Sequence, residues 1–359
     1  MAVLRVFMLP FAALYGIATW IRNLLFDVGA ISSKKFPIPV ISIGNLNTGG
    51  TGKSPHIEYL AKLLSMQYNI AILSRGYRRK TRGFLQVLPT HQSTDVGDEP
   101  LMFSLKFPQM IVAVAESRAK GIEEIMKRFP EVNLILLDDA FQHRFVKPTL
   151  NILLTEYHRS FTEDSLLPYG NLREAKRGAS RADILVVTKT PKIFPIMARK
   201  YFLEKLQSYK FGQVFFSSIH YGSWIHIKDG TAPDMSYNTL YLATGIAQTY
   251  VLEEYLRGQC RELIVNKFSD HYQFKEEDLK RIRAEFGNII GMQKAIVMTE
   301  KDYMRLKDVN LARIIHDLPV FYIPMHIVLH KNSGHQFDEF ITDFIKHDSG
   351  NQSLADTVN

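Results

Sequence analysis

Long apolar runs separated by polar, glycine-bearing turns set the pattern of the chain. The first, Val6 to Ile21, spans 16 residues in which Thr19 is the only clearly polar side chain, and Arg5 and Arg22 bracket it. A helix of that length reaches about 24 Å, short of the ~30 Å hydrocarbon core, and Pro10 weakens a spanning helix further. The pattern best suits a helix lying in a membrane interface, with Tyr15, Trp20 and the flanking arginines at the headgroups. A hydrophobic helix docked on the protein's own core and a true span or signal are the alternatives, although no small-residue cleavage site follows. Further on, Pro37–Ile43 reads as a buried strand, a glycine-rich turn follows, and a helix is predicted from about Pro55 to Met66. Asn69–Ser74, Met110–Ala115, Leu134–Leu137, Asn151–Thr155 and Asp183–Thr188 are more runs of the same kind. Continuous apolar strands alternating with helical segments predict an α/β fold with a parallel sheet covered on both faces.

Near residue 213 the texture changes. Val214–Ile227 reads as antiparallel ribbon, Lys228–Pro233 as a turn cluster, and Leu240–Thr244, Ala295–Thr299 and Val320–Pro324 as a second α/β series. The expected organisation is an N-terminal helix (1–35), a larger domain (36–212), a two-stranded linker (213–238), a smaller α/β domain (239–347) and a disordered polar tail (348–359). There is no internal repeat.

Composition narrows this only slightly. Of 359 residues, 46% are apolar and 22% charged, which excludes wholesale disorder and suggests about two domains. One cysteine, Cys260, excludes a disulfide framework or a thiolate zinc site made by one chain. Lys and Arg exceed Asp and Glu by 44 − 36 = 8, which suits nucleic acid, an anionic membrane or a phosphorylated substrate.

The chemistry enters with Gly44-Asn-Leu-Asn47-Thr48-Gly49-Gly50-Thr51-Gly52-Lys53-Ser54, set between a strand and a helix. Successive backbone N–H groups in such a turn, with the helix N-terminus behind them, cradle phosphate oxygens. Lys53 would reach the β/γ-phosphates and Ser54 would ligate Mg²⁺. Leu134–Asp139 is a buried strand ending in two carboxylates, Asp138 and Asp139, where this nucleotide-binding class holds its metal. Guanine recognition by N-K-x-D is not met by Thr188-Lys189-Thr190-Pro191 or by Thr299-Glu300-Lys301-Asp302, which disfavours a GTPase.

Several segments together resemble the tetraacyldisaccharide 4′-kinases, the lipid A 4′-kinases of Gram-negative bacteria. They are the glycine loop through Pro55, Leu73-Ser-Arg75-Gly-Tyr77, Gly97-Asp98-Glu99-Pro100, Asp138-Asp139-Ala-Phe-Gln142-His143-Arg144, Leu166-Leu-Pro-Tyr-Gly-Asn-Leu-Arg173-Glu174, Phe268-Ser-Asp270-His271-Tyr272 and Thr299-Glu300-Lys301-Asp302. They run in family order from the N-terminal helix to about residue 325, and Asn47 in place of the loop's first glycine is typical of the family. The resemblance implies two α/β/α domains joined by a two-stranded ribbon, the larger one P-loop NTPase-like. It implies transfer of the γ-phosphate of MgATP to the 4′-hydroxyl of an acylated glucosamine disaccharide 1-phosphate, at the anionic cytoplasmic face of the inner membrane.

The same resemblance makes Asp98 the base and His271 its partner. On residues alone, Asp98 reads as a turn aspartate and His271 as an ordinary satisfied histidine. Asp139 and Glu174 are further candidates for the metal shell, and Arg173 for neutralising phosphate charge. Arg75, Tyr77, Arg78, Glu99 and Arg118 are candidates for the substrate and its 1-phosphate. His143 reads as a brace for the Asp138–Asp139 loop. Two competing functions are a nucleic-acid-binding ATPase, for which Tyr77-Arg-Arg-Lys80 is the only basic–aromatic cluster, and a noncatalytic nucleotide-gated membrane switch in which Asp98 and His271 are dispensable. Nucleic acid is therefore not an expected partner; oligomeric state is not legible.

Overall fold

The apolar runs become strands in a computed structural model that describes residues 7–246, 248–270, 272–306, 309–330 and 334–356. The larger domain contributes β1 (Val40–Asn45), β2 (Ile70–Ser74), β3 (Leu85–Gln86), β4 (Ile111–Val114), β5 (Leu134–Asp138), β6 (Leu150–Glu156), β7 (Ile184–Thr188) and β8 (Gln213–Tyr221). The smaller domain contributes β9 (Ile225–His226), β10 (Thr239–Thr244), β11 (Glu262–Lys267), β12 (Lys294–Thr299) and β13 (Val320–Ile323), before β14 (Met325–Leu329) returns to the first sheet. The large sheet has the order β14-β8-β7-β6-β1-β5-β2-β4-β3 and is parallel except at its two edges. The small sheet has the order β11-β10-β12-β13-β9.

Strand residues alternate between faces. Ile41 and Ile43 pack with Ile57, Leu60 and Leu64 of the helix Lys53–Leu64, whereas Val40 packs with Ile122 and Ile125 on the other side. With both faces covered, the runs carry no polar alternation. β1 and β5 pair in register, Ile43 beside Asp138, so the glycine loop and the paired aspartates emerge side by side at the C-terminal end of these central strands.

The ribbon is built differently from a local hairpin within 214–227. β8 pairs antiparallel with β14, Tyr221 opposite Met325 and Ser217 opposite Leu329. An apolar run shows that a segment is a strand but not which distant segment it pairs with. The final helix, Gly334–Asp356, puts Phe337, Ile341 and Ile345 into the larger domain's core, and Tyr59 donates to Asp338 at 2.8 Å. The C-terminus therefore belongs with the larger domain, not with residues 239–333. That helix also continues past residue 348, where the sequence predicts a disordered tail; extending an existing helix fixes one residue per added hydrogen bond.

Candidate nucleotide and phosphoryl-transfer site

The loop after β1 is shaped by glycine where the backbone demands it. A Cβ on Gly44 would lie 2.6 Å from the Phe141 Cβ, so β1 and the segment after β5 approach only because that side chain is missing. Gly52 sits at φ +85° and starts the helix Lys53–Leu64, a conformation that suits glycine. Beside Gly49 and Gly50 a Cβ would meet nothing within 4 Å, so that part of the loop faces open space.

The loop's first residues have a different job from the one read in the sequence. Asn47 donates to Asp164 at 2.9 Å and the Thr48 N–H to the Asn171 carbonyl at 2.8 Å. These two groups staple the loop to the 164–172 segment. Lys53 Nζ donates to Asn45 Oδ1 at 3.3 Å and lies 3.6 Å from Asp139. Arg173 holds both oxygens of the same carboxylate, at 2.8 and 3.0 Å. Burial opposes ionisation of Asp139, but Lys53 and Arg173 override it and hold the carboxyl down at about 2.

Asp138 is the opposite case. Burial, reinforced by Asp139 and Glu99, pushes its carboxyl up to about 6. Ser74 donates to its Oδ2 at 2.9 Å, while Oδ1 is buried without a partner. An orphaned buried carboxylate oxygen beside a phosphate loop is a fit for a cation.

Other candidates fall elsewhere. Glu174 does not join the two aspartates: its oxygens take hydrogen bonds from Asn23 (2.9 Å), Gln142 (3.1 Å) and Arg181 (2.7 Å). Arg118 is 2% exposed and donates to the carbonyls of Ala115 and Asp138, so it braces the β5 end rather than reaching out as a phosphate clamp. Arg75, Tyr77 and Arg78 are exposed beyond β2 and remain placed for a ligand. His143 closes the turn after Asp139 through its N–H on the Ala140 carbonyl. Burial and then Arg118 and Arg75 push its ring down to about 4.

Asp98 begins a helix, Asp98–Lys106, that the Asp-Glu-Pro sequence reads as a turn. Proline is tolerated in a first turn and acidic residues are favoured there. Asp98 is buried and accepts from Arg305 Nε at 2.8 Å; Glu99 accepts from Lys301 at 2.7 Å. His271 lies outside the described residues. Arg305 and Lys301, 207 and 202 residues away, were missed as site residues because both sit within a short charged helix with no phosphate-loop signature.

The N-terminal helix, Leu9–Asp27, docks along one stripe. Tyr15 donates to the Arg173 carbonyl at 2.6 Å, Asn23 to Glu174, and Arg22 to the Gln142 carbonyl at 2.6 Å. Pro10 sits in the first turn, where its missing N–H costs nothing. The outer stripe, Leu14, Ile17, Trp20, Ile21 and Leu24, is exposed. Residues 166–174 thus join three things: this helix, the phosphate loop and the Asp139 carboxylate.

His56, 4% exposed, ties the loop to β8. Its Nδ1–H donates to the Gly52 carbonyl at 2.7 Å, so Nε2 accepts from Ser217 Oγ at 3.1 Å. Burial pushes its pKa down to about 4. Between pH 6.5 and 4 the unfolded chain therefore takes up a proton that the folded chain resists, and stability falls with pH. The loss is about 2 kcal/mol at pH 5 and about 3 kcal/mol by pH 4. Urea unfolding at pH 7 and pH 5 is expected to show a loss smaller by about 2 kcal/mol in His56→Gln than in the wild type, His143 contributing its own loss to both; equal losses in both would remove His56 as the cause.

Comparison with known proteins places these features. The family model described as tetraacyldisaccharide-1-P 4′-kinase matches residues 4–346. The chain is 38% identical to the tetraacyldisaccharide 4′-kinase of Bacteroides thetaiotaomicron, covering 98% of this chain and 96% of that protein. It is 42% identical to that of Flavobacterium psychrophilum, covering 97% and 99%. The crystal structure of LpxK from Aquifex aeolicus described as an "apo" form in complex with ATP superposes with a TM-score of 0.70 at 27% identity, covering 95% of this chain and 99% of that one.

Proposed function

Since this chain belongs to the tetraacyldisaccharide-1-P 4′-kinase family, we propose a division of labour among its residues for the reaction of that family. The chain is a kinase that transfers the γ-phosphate of ATP to the 4′-hydroxyl of a tetraacyldisaccharide 1-phosphate, giving lipid IVA in lipid A biosynthesis. One observation carries the assignment of roles: Lys53 and Arg173 converge on Asp139 at the mouth of the glycine loop. Two cations and a row of loop N–H groups there await phosphate oxygens.

In this reading the Gly49–Ser54 backbone and Lys53 hold the β- and γ-phosphates. Arg173 neutralises charge that builds on the transferred group. Asp98 orients the 4′-hydroxyl and accepts its proton as the oxygen attacks phosphorus. His271 is the partner that the family resemblance pairs with Asp98. Arg75 and Tyr77 face the 1-phosphate end of the lipid.

Mg²⁺ fits the residues present. Among the described residues no cluster of three or more His, Cys, Asp or Glu is arranged to hold a metal, which suits an ion that takes few protein ligands and shares phosphate oxygens. Asp138, through its orphaned Oδ1, and Ser54 would hold it, and Asp139, both of whose oxygens Arg173 holds, would join only by giving up one of those bonds. When bound, it would supply charge neutralisation to the phosphates. The test of the assignment is transfer of ³²P from γ-labelled ATP to a tetraacyldisaccharide 1-phosphate in detergent, with Lys53→Ala as the blank; no transfer above that blank overturns it.

The docked N-terminal helix supports an interfacial position on an anionic membrane. Its 19 residues reach about 28 Å, yet Tyr15, Arg22 and Asn23 tie one side to the larger domain, which leaves the apolar outer stripe for lipid. Ile17→Glu with Trp20→Glu is expected to weaken binding to phosphatidylglycerol-containing vesicles more than tenfold. Turnover on detergent-solubilised substrate should be unchanged, because both side chains are exposed and the contact of the Trp20 ring with the Arg177 guanidinium, at 5.8 Å, involves no residue given a role in the reaction. Unchanged flotation with vesicles would refute the interfacial reading.

A further inference from the structure

Two short helices, one from each domain, pack across the cleft between them. In the larger domain it is Asp98–Lys106; in the smaller it is Glu300–Leu306. Their charges match end to end. Asp98 meets Arg305 at 2.8 Å, Glu99 meets Lys301 at 2.7 Å, and Lys106 meets Glu300 at 2.6 Å. The first residue of one helix pairs with the sixth of the other and the last with the first, while Glu99 and Lys301 pair second with second. Acidic groups then sit at one N-terminus and at the other, each answered by a cation from across the cleft. Lys106 is also shared with Glu58 of the helix that follows the phosphate loop, at 2.8 Å. The contact therefore reaches the nucleotide side as well.

Within this contact, Arg305 is set apart by burial. Its side chain is 1% exposed, and those of its partners Asp98 and Asp302 are 6% and 0% exposed. Nε donates to Asp98; Nη1 donates to Asp302 at 2.8 Å and to the Gly245 carbonyl at 3.0 Å. Asp302 is fixed in turn by Thr244 (2.7 Å), Thr299 (2.6 Å) and the Gly245 N–H (3.0 Å). The guanidinium is thus locked to the ends of β10 and β12 before it reaches Asp98. Gly245 also touches the 269–272 segment: a Cβ there would lie 3.1 Å from the Ser269 carbonyl oxygen and 3.2 Å from the Tyr272 Cβ. A planar fork held by two rigid acceptors fixes the orientation of a further carboxylate better than a flexible ammonium can.

We propose that Arg305 is the positioning residue for Asp98, so that the base is correctly aimed only when the smaller domain is docked through the Glu300–Leu306 helix. This rests on the reading of Asp98 as the base. Arg305 touches no reacting atom in it; it commits Asp98 Oδ2 and sets the angle of the carboxylate. Removing it leaves the nucleotide loop intact and loosens the base by an ångström or so, a displacement worth about 100-fold in rate.

The experiment measures kcat, KM for MgATP and ATP affinity for wild type, Arg305→Lys, Arg305→Met, Asp98→Asn and the double variant Asp98→Asn/Arg305→Met, with the detergent-solubilised acceptor. Arg305→Met is expected to lose about 100-fold in kcat with KM for MgATP and ATP affinity within about twofold. Arg305→Lys should recover part of the loss, since it restores the charge but not the fork. In the Asp98→Asn background, removal of Arg305 should cost no further turnover, because a residue acting only through Asp98 has nothing left to position. Full activity in Arg305→Met overturns the proposal, as does a further loss in the double variant. If Arg305→Met does not fold, the same question is put to Arg305→Lys, where a fall in ATP affinity matching the fall in kcat overturns it. Failure of the underlying reading looks different: Asp98→Asn itself would keep its turnover.

Discussion

Asp98→Asn is expected to lower kcat by about 10²–10⁴-fold, the range for loss of a positioned general base, with ATP affinity within about twofold of wild type. The amide keeps the shape of the carboxylate and one acceptor oxygen for Arg305, so the contact between the domains is disturbed less than by alanine. It cannot take the proton of the acceptor hydroxyl. The phosphate loop is untouched, since Asp98 is bonded to Arg305 of the smaller domain and not to any loop residue among its described partners. Single-turnover transfer measured beside equilibrium ATP binding separates the two effects. Equal loss of both would mean that Asp98 holds the fold of the cleft and is not the base. Asp98→Ala should lose turnover as completely, with an added loss of stability, because a buried guanidinium is then left without one of its anions.

Lys53→Ala carries the other large effect and a different signature. Lys53 is the only cation contributed by the loop itself, and it reaches the mouth of the loop from the first residue of its helix. Taking away a charge that binds both ground-state and transition-state phosphate should cost about 10³-fold in turnover and weaken ATP binding at least about tenfold. The change also frees Asp139 from one of the two cations that hold its carboxyl at about 2. Arg173 then holds that carboxylate alone, and the pKa of Asp139 rises. The measurements are ³²P transfer and ATP affinity on the same preparation. Loss of turnover with ATP affinity intact would assign phosphate binding to the loop backbone and Arg173 instead. Comparing the two variants separates a group that reads the nucleotide from one that reads the acceptor.

The local chemistry was legible because it is written in adjacent residues. A strand, a glycine turn and a helix start must be contiguous to cradle phosphate, and Gly44–Ser54 is contiguous. The same holds for β5 running straight into Asp138 and Asp139. In the sequence Glu174 is a candidate for the metal shell because acidic type and family position say nothing about which neighbours claim the carboxylate; three donors, one of them from the N-terminal helix, do so here. Arg118 was read as a phosphate clamp for the same reason. Its burial is set by the packing of the helix Arg118–Arg128 against β2 and β4, which periodicity implies only loosely. Asp98-Glu99-Pro100 looked like a turn because proline usually ends a helix; that it opens one depends on Gly97 before it and on cations arriving from the other domain.

The amino-acid sequence by itself determined most of the strands, though not β3, β11 or β14, together with the two-faced parallel sheet, the phosphate loop and the family to which these motifs point, since each depends on short-range periodicity or on residue types at fixed spacing. The tertiary structure alone decided that β8 pairs with β14 and that the C-terminal helix returns to the larger domain. It also decided that residues 166–174 join the N-terminal helix to Asp139, and that Arg305 reaches Asp98 across the cleft. Those contacts reach across some 100 to 279 positions of the chain. Their partners are chosen by burial and charge after the chain has folded, and no local pattern encodes which buried cation will meet which buried anion.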